Sequence, residues 1–395
     1  MPGVLEGIRV LDFGRHIAGP YCATLLADFG AEVIRVERVD GSEDRFLAPV
    51  GGDDGPGAIF LQCARNKLGV TLNPMKPEGR EITRRLVATA DVVVANVPGK
   101  SLEEMGLDYA SLTAIKPDII LTHVTAYGAG GPYSERLGFD AIGQALSGNM
   151  HLGGDPEKPM KSAMPYVDYS TAILHALGTV LAILERQKSG VGQVVSGSLL
   201  ASALTISNAY VIEQAIDGRD RVGTGNRSQL AGPSDAFQTK DGWIMTQVIG
   251  DRLFKRWAEL VGAEDLLEDP RFANDRSRGD HGEALNEHMQ QWCAERTNSE
   301  AIAELEAARI PAGPVHSLGS VLEDPHVQAA GFLQEVDYPG LATPAPMAKA
   351  PVQLSRTPSE IRERPPVLGE HTNQILGELG YSTEEITGFR ERRIV

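Results

Sequence analysis

The chain has 395 residues, with 37 Lys and Arg against 53 Asp and Glu and a formal net charge of -16. So acidic a chain lacks the basic footprint of a nucleic-acid binder and is repelled by anionic membrane, and an anionic ligand must be met by a few local cations. Hydrophobic residues make up 42% and charged residues 23%, which fits a soluble globular protein of roughly two domains. Cys22, Cys63 and Cys293 show no CxxC spacing and no companion His cluster, so neither a zinc site nor a disulfide framework is expected. The opening MPGVLEGIRV lacks a basic region followed by an apolar run, so no secretory signal is read there and a cytoplasmic location is expected.

The first third alternates strand-like and helix-like segments. Ile8–Phe13 is a short apolar strand, Pro20–Phe29 a helix ended by Gly30, and Glu32–Glu37 a second strand. Gly69–Leu72 is a brief third strand, Pro77–Ala90 an amphipathic helix, Asp91–Ala95 a buried strand and Asp118–Val124 another. Strands separated by helices imply a parallel sheet with ligands outside its carboxyl ends. The loops Gly14–Pro20, Arg38–Arg45, Asn73–Met75, Asn96–Lys100 and Ala126–Pro132 therefore bear watching.

Val167–Arg186 then reads as one long helix. Its most apolar stretch, Thr171–Leu184, falls short of the roughly 20 residues of a membrane span. Gln193–Ser198 resumes as a strand and Ser198–Ile216 as a helix; Gly218–Pro233 is polar and rich in Gly and Arg, as a mobile loop is. A strand pair around Asp241-Gly242 and helices at Arg252–Val261, Gly282–Arg296 and Ser299–Ala308 suggest a smaller α+β domain. After Pro325 many prolines predict an extended traverse, closed by helices at His371–Leu379 and Thr383–Glu391.

A βαβ start invites a dinucleotide site, but the first turn reads GRHIAGP and has no GxGxxG. The opening IRVLDFGRHIAGPYCATLLADFGAEVIRVER instead resembles that of the class III CoA-transferases, the CaiB/BaiF-type family. Further blocks keep the family's order along nearly the whole chain. They include ARNKLGVTLN, ADVVVANVPG, GAGGPYSERLGFDAIGQALSG, DYSTAILHALGTVLAILERQKSGVGQVV, TGNRSQLAGPSDAFQTKDGWI and LGEHTNQILGELGYS. The resemblance implies an α/β fold with a Rossmann-like large domain on a parallel sheet, a smaller α+β domain, and an interlocked homodimer. It places the large CoA-binding domain at 1–198 and 326–395, a linker helix and loop at 199–224, and the small domain at 225–325.

CoA transfer needs a nucleophile able to form an anhydride with the acyl group and then a thioester with CoA, and a carboxylate can do both. The family's Asp at the start of the long apolar helix matches Asp168, where the positive helix end favours an anion. An ordinary capping Asp would occupy the same place; the surrounding blocks favour catalysis. Carried over position by position, CoA would contact His16, Ile17 and Ala18 in the first turn and Arg38 by its phosphates. Leu72, Asn73, Met75, Asn96, Val97 and Pro98 would flank the nucleotide, with Arg136, Leu137, Phe139 and Asp140 near the thioester. Some relatives carry Arg and Lys where this chain has Glu104 and Leu137; Lys100 and Arg136 are the expected substitutes. Gly225, Asn226 and Gln229 would form a lid, and Arg15 or Arg227 would meet a substrate carboxylate. Acyl-CoA and a carboxylic acid are the expected partners, CoA being a substrate, with no permanent cofactor and no metal.

Two other readings compete. A racemase acting on α-methylacyl-CoA would need the His of a GHD motif, but the triplet here is Gly138-Phe139-Asp140, leaving His123 and His151 as alternatives. A non-catalytic CoA-binding protein would have no use for Asp168.

Overall fold

In the computed structural model the described residues are 3–53 and 55–395. Met1 and Pro2, part of the N-terminal run read above, and Asp54 lie outside them. The chain forms two compact units: Met1–Gly148, Ser162–Val211 and Ala329–Val395 make the first, and Asn149–Lys161 and Ile212–Gln328 the second.

The first unit is built on β1 (Arg9–Asp12), α1 (Ala18–Asp28), β2 (Glu32–Glu37), β3 (Lys67–Thr71), α2 (Pro77–Thr89), β4 (Val92–Ala95) and β5 (Ile120–Thr125). These are followed by α3 (Asp140–Leu146), α4 (Tyr166–Ser189), β6 (Val194–Ser198) and α5 (Leu199–Asp217), this segment of the first unit ending within α5 at Val211. The fold is mixed α/β, and its main sheet is six-stranded and wholly parallel in the order β3-β2-β1-β4-β5-β6. Every residue of β4, VVVA, is buried, because a parallel sheet is covered on both faces and needs no polar alternation. One face packs Ile82, Leu86, Ile375, Leu376 and Phe389, from α2 and the C-terminal region. The other packs Tyr21, Leu26, Ala172, Ala176 and Ile183, from α1 and α4. The strand order reverses between β1 and β4, and at such a switch point the loops diverge and leave a crevice.

The second unit carries β7 (Ser234–Gln238), β8 (Trp243–Gln247), α6 (Asp251–Val261), α7 (Gly282–Ala294), α8 (Asn298–Ala307) and β9 (Ala312–Pro314). These three strands form an antiparallel sheet ordered β9-β8-β7. Phe237, Ile244, Phe254, Trp257, Leu285 and Met289 fill its separate core.

The proline-rich return is less extended than expected. It makes a hairpin of β10 (Leu333–Val336) and β11 (Ala345–Ala348), in which Pro346 faces Glu335, before α9 (Thr372–Glu378) and α10 (Thr383–Glu391). On a two-stranded ribbon every strand is an edge, so proline is tolerated. A second correction concerns α4, whose 24 residues are long and apolar enough to cross a membrane, as are the 19 of α5. Length and composition also suit a core helix, and α4 buries Asp168, Thr171, His175 and Thr179.

Candidate active site

The first loop is fixed from below. Asp12 and Lys67, both fully buried, form an ion pair of 2.8 Å, and the other Asp12 oxygen accepts the Gly14 N–H at 2.8 Å. A Cβ on Gly14 would stand 2.7 Å from Asp12 Oδ1 and from Pro20 Cδ, so glycine is required by space. Across the switch point, Asn96 accepts the Arg15 N–H at 2.7 Å and returns its own amide N–H to the Arg15 carbonyl at 2.8 Å. Gly19 leaves room for that amide, since a Cβ there would lie 3.0 Å from Asn96 Oδ1. The clamp holds His16 at a φ of 60°, a left-handed conformation that non-glycine residues adopt only when their surroundings impose it. Ile17 and Ala18 are buried in the cores, so this part of the loop offers its backbone and not its side chains.

The carboxyl edge of the sheet opens into a cleft of about 440 Å³ lined by Phe13, Arg15, Val36, Arg38, Leu72, Asn73, Met75, Val97 and neighbours. Six residues named from the sequence thus meet there. Arg15 spends its guanidinium on the Phe13, Gly14 and Val36 carbonyls, which makes it a brace for the strand ends. Arg38 is exposed and paired with Glu43, a partner not foreseen. Leu72 is buried in the core and Pro98 caps the helix Gly99–Met105. Sequence reasoning missed two further cations on this wall, Lys76 and Arg393; Arg393 pairs with Asp40, and Lys76 reaches the Arg392 carbonyl. A cluster of arginines at 390, 392 and 393 was the signal available. A second cleft, of about 670 Å³, shares Met75 with the first and is lined by Arg80, which donates to the Glu104 carbonyl. A cation from α2 therefore stands beside Glu104.

Asp168 sits in the first turn of α4, 9% exposed. The N-cap residue, Pro165, has no side-chain acceptor for the helix's free N–H groups. Asp140 supplies one from α3: its Oδ2 accepts the Val167 N–H at 2.8 Å and the Asp168 N–H at 3.0 Å. Gln144 donates to Asp140 Oδ1 and accepts the Ser162 N–H at 2.9 Å. Burial first, and the Asp140 charge second, push the Asp168 acid up to about 7. Phe139, immediately before α3, is 61% exposed and meets the His16 ring edge-on at 5.4 Å. His16, Phe139, Asp140 and Asp168 therefore form one continuous patch.

The other named residues make contacts of their own. Arg136 is exposed and stacks on Tyr133 at 4.0 Å; Leu137 is exposed, and its carbonyl accepts from Tyr127. Lys100 is an exposed residue of the helix Gly99–Met105. In the second unit Gly225, at φ 64°, and Asn226 make an exposed turn, while Gln229 donates to the Val222 carbonyl at 2.6 Å. Arg227 there is engaged by the Gly279 carbonyl and Glu283. His123 donates through Nε2 to the Val97 carbonyl, steadying the loop after β4, and His151 lies near Asp220 in the second unit. His123 thus commits a ring nitrogen to a backbone carbonyl, and Phe139 carries no proton. Among the described residues no group of three or more His, Cys, Asp or Glu could hold a metal ion.

A sequence model of CoA-transferase family III matches residues 5–372. The chain belongs to this family. It is 35% identical, over 99% of its length and 98% of the relative's, to the succinyl-CoA–L-malate CoA-transferase beta subunit of Chloroflexus aurantiacus. It is 32% identical to the succinyl-CoA–D-citramalate CoA-transferase of the same organism, covering 100% of this chain and 98% of the other. A crystal structure of a CAIB/BAIF family protein from Brucella suis superposes with a TM-score of 0.83 at 30% identity, over 96% of this chain and 100% of that one. The protein is a CoA-transferase, and its substrates are an acyl-CoA and a carboxylic acid.

Proposed function

We propose that this CoA-transferase works through covalent intermediates on Asp168. The observation that carries the reading is a carboxylate buried at the head of α4 whose acid is raised to about 7, making it a stronger nucleophile than a solvated aspartate. The carboxylate attacks the thioester carbonyl of the donor; the C–S bond breaks, leaving an acyl-aspartyl anhydride and CoA thiolate. The thiolate then attacks the aspartyl carbonyl, expels the donor acid and forms an aspartyl-CoA thioester. The acceptor carboxylate repeats the sequence in reverse, leaving acceptor-CoA and free Asp168. The step consumes no metal or redox partner.

CoA would lie along the carboxyl edge of the sheet, with its phosphates among Arg38, Lys76, Arg80 and Arg393 and its thioester end by His16, Phe139 and Asp168. Relatives named for succinyl-CoA with malate or citramalate support succinyl-CoA as donor and a dicarboxylate as acceptor. A homodimer, interlocked as the family resemblance implies, suits the apolar residues that α4 leaves exposed. The free thiols of Cys22, Cys63 and Cys293 suit the cytoplasm. The lid role of Gly225, Asn226 and Gln229 suits an anhydride that water would destroy.

The test is mass spectrometry of the enzyme quenched with succinyl-CoA, with hydroxylamine as a trap. An adduct on the peptide containing Asp168, absent in Asp168→Asn together with turnover, supports the mechanism. Turnover retained by Asp168→Asn overturns it.

A further inference from the structure

Building on the Asp168 reading, we propose that Asp140 is a positioning residue, its carboxylate holding the backbone of Val167 and Asp168 so that the nucleophile is fixed at the head of α4. Asp140 is 27 and 28 residues before the groups it binds, and lies on a different helix. It is nine-tenths buried, and the three hydrogen bonds that satisfy it all come from protein: two helix N–H groups and the Gln144 amide. A carboxylate so engaged has little left with which to hold CoA. The grip extends backwards as well, since Gln144 takes the Ser162 N–H three residues before Pro165. The entry to α4 is thus pinned on both sides of a proline that cannot cap it.

Such a fixture matters to chemistry in which one carboxylate is first acylated and then thioesterified. Each step needs the same oxygen or carbon placed within reach, and a misplacement of about 1 Å can cost on the order of 100-fold in rate. The same group also sets the charge around the nucleophile. The titratable groups about the head of α4 are Asp140 on α3, His16 in the loop after β1, Tyr21 on α1, Cys63, and Tyr166, Tyr169 and His175 on α4 itself. Burial raises the Asp168 acid first, and the Asp140 charge raises it further.

The experiment compares Asp140→Ala, Asp140→Asn and Gln144→Leu in the full-length enzyme with succinyl-CoA and a dicarboxylate acceptor. Asparagine keeps an oxygen for the helix N–H groups but carries no charge. We expect kcat to fall about 100-fold in Asp140→Ala and distinctly less in Asp140→Asn, with KM for succinyl-CoA held within about threefold. The acid limb of the Asp140→Asn profile should move to lower pH. Unchanged kcat in the Asp140 variants overturns the proposal, and so does a raised KM with kcat retained, which is the mark of a lost CoA contact. If Asp140→Ala does not fold, Asp140→Asn and Gln144→Leu decide: an unmoved acid limb in the first and full kcat in the second overturn it. Trapping the adduct on wild type separates the two ideas. No adduct on Asp168 defeats the covalent reading itself, whereas an adduct with unaffected Asp140 variants defeats the positioning role alone.

Discussion

Burial and the neighbouring Asp140 charge raise the Asp168 acid to about 7, so the folded chain holds this proton more tightly than the unfolded chain does. Below the ordinary carboxylate range both states are protonated and the group is neutral to stability. As pH rises from there through about 7 the unfolded chain has already released the proton, so stability declines across that window and the loss is complete above it. The cost is on the order of 2–4 kcal/mol. We therefore expect Asp168→Asn to melt a few °C above wild type at about pH 8, by calorimetry, with the gap closing as pH falls to about 4. The same proton governs rate: kcat/KM should fall about tenfold per pH unit on the acid side of about 7. That Asp168 heads a helix was plain from the sequence. Its raised pKa was not, because burial, the larger cause, and the charge of Asp140, 28 residues earlier, act on it only once the chain has folded.

At the scale of elements, the loop after β1 shows how a short turn is held in an unusual shape. Its conformation depends on a glycine with no room for a methyl group, on an ion pair reaching to β3, and on a two-way amide clamp from the end of β4. Asn96→Ala leaves two backbone groups of Arg15 without partners, which should cost about 1–3 kcal/mol in urea unfolding and raise KM for acyl-CoA more than it lowers kcat. Gly14→Ala should be worse, because both obstructing atoms belong to rigid groups. The strands and long helices around this loop were readable, since ADVVVA and the long runs of α4 and α5 carry strong patterns. Short helices such as Gly99–Met105 and Tyr109–Ile115 were not, because seven residues complete only about two turns and show little periodicity.

Over the whole molecule, the parallel sheet followed from alternation of strand and helix, whereas its strand order and which cations share a wall did not. Arg393 and Arg38 stand on one cleft although most of the chain separates them. The outer face of α4 bears an apolar stripe, Leu174, Leu177, Leu181 and Leu184, all exposed in one chain. If two copies interlock over it, Leu177→Glu combined with Leu181→Glu should convert dimer to monomer in sedimentation velocity. An unchanged sedimentation coefficient would remove this face from the interface. The bond from the Asn73 N–H to the Ile394 carbonyl has a further consequence for synthesis. A nascent chain emerges from the ribosome with β1 first, yet the cleft beside β1 gains its last wall only when residues 393 and 394 have left the exit tunnel. The β3 edge itself is covered by His371 and Thr372, and a nascent polypeptide stalled before them would present it to chaperones as an unfinished surface.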